Sequence, residues 1–301
     1  MTRRNAEILL AAVIIARSSS YVLTKIGLTG MEPLTLLGER FLLAFVLLAV
    51  FFGRRFRAVS RSTVLYGALL GFLTALVMRF ELLGLQTTSS STTAFLENTA
   101  VVFVPLLGIV FYRKLPSMQA VFGTGIIFAG IGFLTLHGSQ LSLTAGELYC
   151  LLAALLYALT ILATGYYAKR TEAFLLGIFQ VGFVGVFCML GAVVFETPRL
   201  PQGVTEWGVI VLLAVICTAF GFTLQPLAQR YTTAQRTGNL CALNPLFASV
   251  LGMVVLGETF SLQGAVGAAL ILAGLLLSNH QKENVDGNET RAVVQEPLRQ
   301  N

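Results

Sequence analysis

The chain has 301 residues; 56% are apolar, 11% are charged, and the formal net charge is +6. Soluble domains carry about 25% charged residues, so this composition cannot cover a soluble surface, whereas a bilayer favours apolar side chains on the outside. The cations form short clusters between apolar runs and no continuous basic face, which excludes a nucleic-acid partner and fits membrane orientation.

A helix rises about 1.5 Å per residue, so about 20 apolar residues cross a hydrocarbon core of roughly 30 Å. The first such run, 6–26, contains Arg17 and Lys25 and has no convincing small-residue cleavage site; it reads as a retained helix and not a signal peptide. Further spans are expected at 33–52, 62–85, 89–111, 117–136, 145–168, 174–195, 206–229, 233–256 and 261–279. They are separated by polar or Pro- and Gly-bearing breaks such as Gly30 to Pro33, Leu115-Pro116 and Pro198 to Gly203. Unpaired backbone in lipid is costly, so the fold class is all-α. Cys150, Cys188, Cys217 and Cys241 fall inside apolar runs and form no CxxC pair, which suits small buried hydrophobes.

With Arg3 and Arg4 in the cytoplasm, alternate loops carry Arg54, Arg55, Arg57 and Arg61, then Arg113 and Lys114, Lys169 and Arg170, and Arg230 and Arg236; the tail adds Lys282, Arg291 and Arg299. The opposite loops hold Arg199 alone. This asymmetry predicts ten spans with both termini cytoplasmic. The Asn288-Glu289-Thr290 sequon then lies on the cytoplasmic side, where it is not glycosylated.

Sliding the chain on itself by 144 residues pairs Phe103 with Phe247, Gly108 with Gly252, Ser117 with Ser261, Gln119 with Gln263, Gly123 with Gly267, and Ala129-Gly130 with Ala273-Gly274. Near a shift of 140, Glu7 meets Glu147 and Thr24 meets Thr164. The expected organisation is a first five-helix repeat over 1–138, a second over 139–279, and a disordered cytoplasmic tail over 280–301. An odd number of spans per repeat inverts the second copy, as in secondary transporters that work by alternating access.

Three stretches carry a resemblance to a known family: Ser19-Ser20-Tyr21-Val22-Leu23-Thr24-Lys25-Ile26-Gly27-Leu28; Gln86 through Phe95-Leu96-Glu97, Val101-Val102-Phe103-Val104-Pro105 and Lys114; and Asn244-Pro245 through Leu256-Gly257-Glu258, Gly267 and Ala273-Gly274. They resemble the EamA-type transporters of the drug/metabolite transporter superfamily, over nearly the whole chain. The resemblance implies ten helices around a central cavity and export or exchange of metabolites such as amino acids, nucleotide-linked sugars or drugs. Two departures stand out: Arg17 and Ser18 replace the usual Trp-Gly, and Arg113-Lys114 ends the first repeat where Glu258 keeps the pattern in the second.

Charge within a span costs about 2.5–3.5 kcal/mol at a helix centre and should face a cavity or a partner. Arg17, Tyr21 and Lys25 share one helix face, widened by Ser18, Ser19 and Ser20. Arg17 reads either as the fixed charge of an anion-binding wall or as half of a structural ion pair. Lys25 is expected to snorkel outward. Glu97 follows Thr93 by one turn and precedes Asn98; it is expected to pair with Arg17, with an amine or a proton as other ligands. Glu39-Arg40 and Arg79 with Glu81 are expected to pair at the outer ends of their spans. The second repeat offers Tyr157, Gln180, Gln225, Asn239 and Asn244. The expected substrate-binding set is Arg17, Ser20, Tyr21, Thr93, Glu97, Asn98, Tyr157, Gln225 and Asn244, with kinks at Pro105 and Pro245.

His137 and His280 are the only histidines and Asp286 the only aspartate. No catalytic motif, metal site or cofactor motif is expected, so the chain is not read as an enzyme. Pseudo-twofold repeats fit alternating access better than a channel, which is usually built from symmetric subunits. The function expected is secondary transport, by export or exchange, of a small polar metabolite such as an amino acid. Efflux of cationic compounds or drugs is the alternative, and a membrane scaffold a lesser one. The partners are the solute and the bilayer, the chain a monomer or homodimer, and the place a bacterial plasma membrane.

Overall fold

The structure is a computed structural model that describes residues 1–112, 118–134, 136–137, 140–141, 143–241, 243–259 and 261–278. Arg113, Lys114, the break at Leu115-Pro116, and the tail with His280, Asp286 and the Asn288 sequon lie outside the described residues, as do the side chains of Pro105, His137 and Asn239. The helices are α1 (Arg3–Gly27), α2 (Pro33–Phe52), α3 (Arg61–Leu85), α4 (Ser90–Asn98), α5 (Ala100–Tyr112), α6 (Met118–Leu134), α7 (Ala145–Tyr167), α8 (Ala173–Phe195), α9 (Gly203–Leu212), α10 (Thr223–Gln229), α11 (Ala234–Cys241), α12 (Leu243–Leu256) and α13 (Leu262–Ser278). A two-residue antiparallel pair, β1 (Leu136–His137) with β2 (Gln140–Leu141), departs from the all-helical expectation in the connection between α6 and α7.

Among the described residues seven helices are long and apolar enough to cross a membrane: Arg3–Gly27, Pro33–Arg57, Arg61–Leu85, Ala145–Tyr167, Ala173–Phe195, Gly203–Gln229 and Arg236–Leu256. Local chemistry sets their ends. Thr2, Ser60 and Ser89 cap α1, α3 and α4 by accepting backbone N–H bonds, and Thr144 with Glu147 forms a reciprocal capping box on α7. Pro33 opens α2, where its missing N–H leaves nothing unsatisfied.

Two expected spans are interrupted. The run expected at 89–111 breaks at Thr99, whose N–H and hydroxyl both bond back to the Leu96 carbonyl and tighten the turn. The run over Gly203–Gln229 is continuous but passes through a π-helix at Leu213–Phe222, just ahead of Pro226. Proline cannot donate to the carbonyl four residues back, and the widened turn is one way to absorb that loss.

The halves pack as images of each other. The repeat alignment matches α1 with α7, α2 with α8, α3 with Gly203–Gln229, α4–α5 with α11–α12, and α6 with α13. In the structure α3 packs on α7, and its counterpart packs on α1. Likewise α4–α5 lies on α7 and α11–α12 on α1, while α2 meets α8 and α6 meets α13. The last interface is the most explicit. A Cβ on Gly130 would stand 2.8 Å from the Gly267 carbonyl oxygen, and one on Gly274 would stand 2.7 Å from that of Gly123. These are four of the six glycines paired above by the 144-residue shift, so the two contacts map onto each other about a pseudo-twofold axis. Small residues let the backbones approach closely where lipid supplies no hydrophobic drive.

The end carrying the chain's N-terminus is the near end and the opposite one the far end. At the near end, Arg236 Nη1 on α11 pairs with Glu7 on α1 at 2.7 Å. At the far end the Glu196 carboxylate accepts the Leu34 and Thr35 amides at 2.8 Å each, capping α2.

Candidate solute site at the bundle centre

Arg17 projects from the middle of α1 towards the π-helical stretch. A Cβ on Gly221 would stand 2.6 Å from Arg17 Cγ, so glycine there makes room for the arginine stem. The guanidinium lies over the Phe222 ring, 4.0 Å from its centroid, with the Tyr157 ring at 5.5 Å. Arg17 Nη1 donates to Tyr157 Oη at 3.0 Å and to Gln225 Oε1 at 2.5 Å. Side chains from α7 and the Gly203–Gln229 run, all in the second repeat, thus converge on a cation from the first.

Arg17 is half-buried and faces a central cavity lined also by Thr74, Thr160, Gln180, Gln225, Val77 and Met78. The free space is only about 10 Å³, close to what one water needs, so the centre is closed. Gln180 on α8 is fixed by donating to Thr74 Oγ1 on α3 at 2.8 Å. Gln180 was singled out in the sequence; Thr74, Thr160 and Thr164, which also line the cavity, were not, because hydroxyls are common in membrane helices and carry no distinguishing period.

The rest of the expected set divides. Tyr21 Oη donates to Glu97 Oε2 at 2.5 Å and accepts from Asn244 Nδ2 at 3.0 Å, and Asn244 Oδ1 accepts from Ser18 at 2.8 Å. This chain of bonds ties α1, α4 and α12 together. Glu97 therefore bonds Tyr21, and among the described residues it makes no ion pair with Arg17: the expected pairing is corrected. The tyrosine stands in between as a neutral donor. Asn98 is buried with Nδ2 unpartnered, and Thr93 bonds Thr88 Oγ1 at 2.7 Å towards the far end; neither lines the cavity. Ser20 faces Arg40.

Two further expectations are overturned. Lys25 does not snorkel: its ammonium pairs with Glu258 at 3.1 Å and donates to the Thr88 carbonyl at 3.0 Å. Arg40 and Glu81 are not at an outer interface; they are 1% and 3% exposed and enclosed by protein. Distance from a span's end, read along the sequence, does not tell which face a residue takes.

Glu258 itself was noted only as part of the family pattern. Gly257 closes α12 in the left-handed region, φ 64°, and Glu258 N bonds back to the Gly252 carbonyl at 3.2 Å. That turn aims the carboxylate at the N-terminus of α4, where it accepts from Ser90 N at 2.8 Å, Ser90 Oγ at 2.7 Å and Ser91 Oγ at 3.1 Å. Partial burial pushes the carboxyl up, but the Ser90 and Lys25 contacts outweigh it and hold the group below its ordinary range. Among the described residues no group of three His, Cys, Asp or Glu side chains is placed to hold a metal.

Membrane-length apolar helices in two matching halves define the class: a multi-pass membrane protein built on a tandem repeat. The pattern of the EamA-like transporter family matches residues 4–136 and again 144–280, and the chain belongs to that family. Two proteins of Archaeoglobus fulgidus, each named an uncharacterized transporter, are similar at 26% identity over 91% of this chain and 86% of theirs, and at 27% over 90% and 96%. The uncharacterized transporter YxxF of Bacillus subtilis is 28% identical over 73% of this chain and 71% of its own. A solved crystal structure shares the fold, with a TM-score of 0.69 at 16% identity over 92% of this chain and 97% of that one.

Proposed function

We propose that the chain crosses the membrane ten times as two inverted five-helix repeats, with both termini cytoplasmic, and carries a small solute bearing a carboxylate, such as an amino acid, by alternating access around Arg17. The α4–α5 pair, α6 and α13 add three crossings to the seven of full length. The near end is then cytoplasmic. Archaeal and bacterial relatives favour a prokaryotic plasma membrane.

One observation carries the substrate reading. Arg17 is a cation in mid-membrane with no carboxylate partner among the described residues, oriented by Tyr157, Gln225 and Phe222 towards the one-water space. Neutral hydrogen bonds hold a guanidinium in place without neutralising it, which leaves its charge for a ligand. The solute enters when the halves part at one end, and leaves when they part at the other. On this reading the contacts of Glu258 with Lys25 and the α4 serines would have to part for the far end to open. Export or exchange is the direction proposed. Cationic drugs are the second reading, favoured by the buried Glu97; Tyr21 already occupies that carboxylate, so the anionic solute takes precedence.

A thermal-shift screen of purified protein against amino acids, organic acids, nucleotides and cationic drugs tests this. A native-state ligand raises the melting temperature by mass action, equivalent to about 2.7 kcal/mol at a hundredfold excess over Kd. A carboxylate compound that shifts wild type and not Arg17→Ala is the expected result. Shifts from cationic drugs alone, unchanged in Arg17→Ala, would contradict it.

A further inference from the structure

We propose that the near end carries a discrete site for an anionic phospholipid with a hydroxylated head group, such as phosphatidylglycerol. It lies between the α2–α3 connection and the first turns of α3 and α8. It rests on the chain crossing a membrane and not on the solute it carries.

Four arginines, Arg54, Arg55, Arg57 and Arg61, fall within eight residues of that connection. Its first part is a 3-10 helix, Gly53–Ala58. Phe56 turns inward, its ring centroid 5.3 Å from Phe179 and 6.3 Å from Phe45, while Arg54, Arg55 and Arg57 stay exposed. The segment is thus apolar towards the bundle and basic outward, as interfacial segments are. The Arg55 guanidinium reaches over the start of α8, 5.6 Å from the Phe174 centroid.

Beneath Arg55 an open cleft of about 440 Å³ is lined by Arg55, Val59, Ser60, Thr63, Glu172 and Leu175. Small-molecule sites span roughly 300–1,000 Å³. Val59 and Leu175 give it an apolar wall, Ser60 and Thr63 hydroxyls, and Arg55 a cation. Its surroundings place it at head-group level. Val50 and Phe51, at the end of α2, are exposed apolar side chains suited to acyl chains. One turn into α3 from Thr63, Tyr66 stacks on Tyr167 at 4.2 Å, beside the exposed Tyr166. Tyrosines gather at the membrane–water boundary. Membrane orientation asks for charge in this connection, but not for a cleft at its foot.

Charge complementarity selects the occupant. A phosphodiester suits a guanidinium in a basic cleft between membrane helices. Glu172 narrows the choice. Its Oε2 caps α8 by accepting the Leu175 amide at 2.7 Å. The carboxylate repels a bare phosphate monoester and accepts a hydrogen bond from a hydroxyl, which favours a glycerol head group over phosphatidic acid. Phosphatidylcholine offers neither net charge nor a hydroxyl.

The test is native mass spectrometry of the full chain in detergent, titrated with phosphatidylglycerol, phosphatidic acid, phosphatidylethanolamine and phosphatidylcholine. An uncharged micelle has no anionic surface, so a built site shows as one preferentially held lipid. Wild type is expected to prefer phosphatidylglycerol to each of the others. Arg55→Gln should lower the preference over phosphatidylcholine about tenfold. Val59→Trp, which fills the cleft and keeps every charge, should lower it similarly. Arg4→Gln removes the same charge at the same end, on α1, and should leave it unchanged. Glu172→Gln should erase the preference over phosphatidic acid. Ratios are taken within each variant, so altered folding does not mimic the effect. The site is overturned by a wild type without these preferences, by equal losses in Arg55→Gln and Arg4→Gln, or by wild-type ratios in both Arg55→Gln and Val59→Trp. Displacement of the lipid by equimolar inorganic phosphate would mark a free-anion site and overturn the lipid assignment. Solute binding through Arg17 is read separately, so either proposal can fail while the other stands.

Discussion

Arg17 depends on a residue that has no side chain. Gly221 leaves the space that the arginine stem occupies; a methyl group there, 2.6 Å from Cγ, must displace the guanidinium from Tyr157 and Gln225. Gly221→Ala is therefore expected to weaken solute binding about as much as Arg17→Ala, while Gly208→Ala, with nothing within 4 Å of the added carbon, is expected to be silent. Overpacking typically costs about 1–3 kcal/mol, so the Gly221 variant should also melt earlier. Equal binding by Gly221→Ala and Gly208→Ala in the thermal-shift screen would count against Arg17 as the ligand-facing cation. At this scale the sequence revealed what was conspicuous. A charge inside an apolar run announces itself, and Arg17 with Tyr157 and Gln225 was legible for that reason. Arg40 and Glu81 were visible as charges but misplaced, because a helix face is settled only by its neighbours.

The turn from α12 to α13 ties three helices together at the far end. Glu258 binds the first amides of α4, which have no partner within the helix, and the Lys25 ammonium of α1 together. The folded carboxyl sits below its ordinary range, so its contribution to stability is present above the unfolded value of about 4.3 and is lost as pH falls through the folded one. Glu258→Gln is expected to lower stability by about 1–2 kcal/mol near neutral pH, given a half-exposed lysine partner. The gap to wild type should narrow in acid. Melting curves at neutral pH and near pH 4 check this, and a gap that widened in acid would have the wrong sign for a clamp held by an ionised glutamate. The π-helical stretch was not legible in advance: its apolar pattern reads as an ordinary span, and Pro226 signals only that some turn nearby must give way.

For the whole molecule, apolar runs, alternating cation clusters and the 144-residue self-match pointed to a duplicated membrane bundle, and the glycine contacts between α6 and α13 realise that self-match as packing. Orientation is open to direct measurement. Cys150, Cys188, Cys217 and Cys241 are buried and free, so a membrane-impermeant thiol reagent has little background. Arg199→Cys should label on intact cells and Arg54→Cys only after permeabilisation; the reverse pattern would invert the topology. What sequence could not supply was the closed state of the centre, since an unfilled space has no residue to announce it.

The most direct measurement is counterflow in proteoliposomes loaded with a mixture of unlabelled amino acids and given the radiolabelled mixture outside. Uptake above empty liposomes by wild type, and loss of that uptake in a folded Arg17→Ala variant, is what a carboxylate carrier centred on Arg17 predicts. Uptake that persists undiminished in Arg17→Ala, or none by wild type, would contradict it.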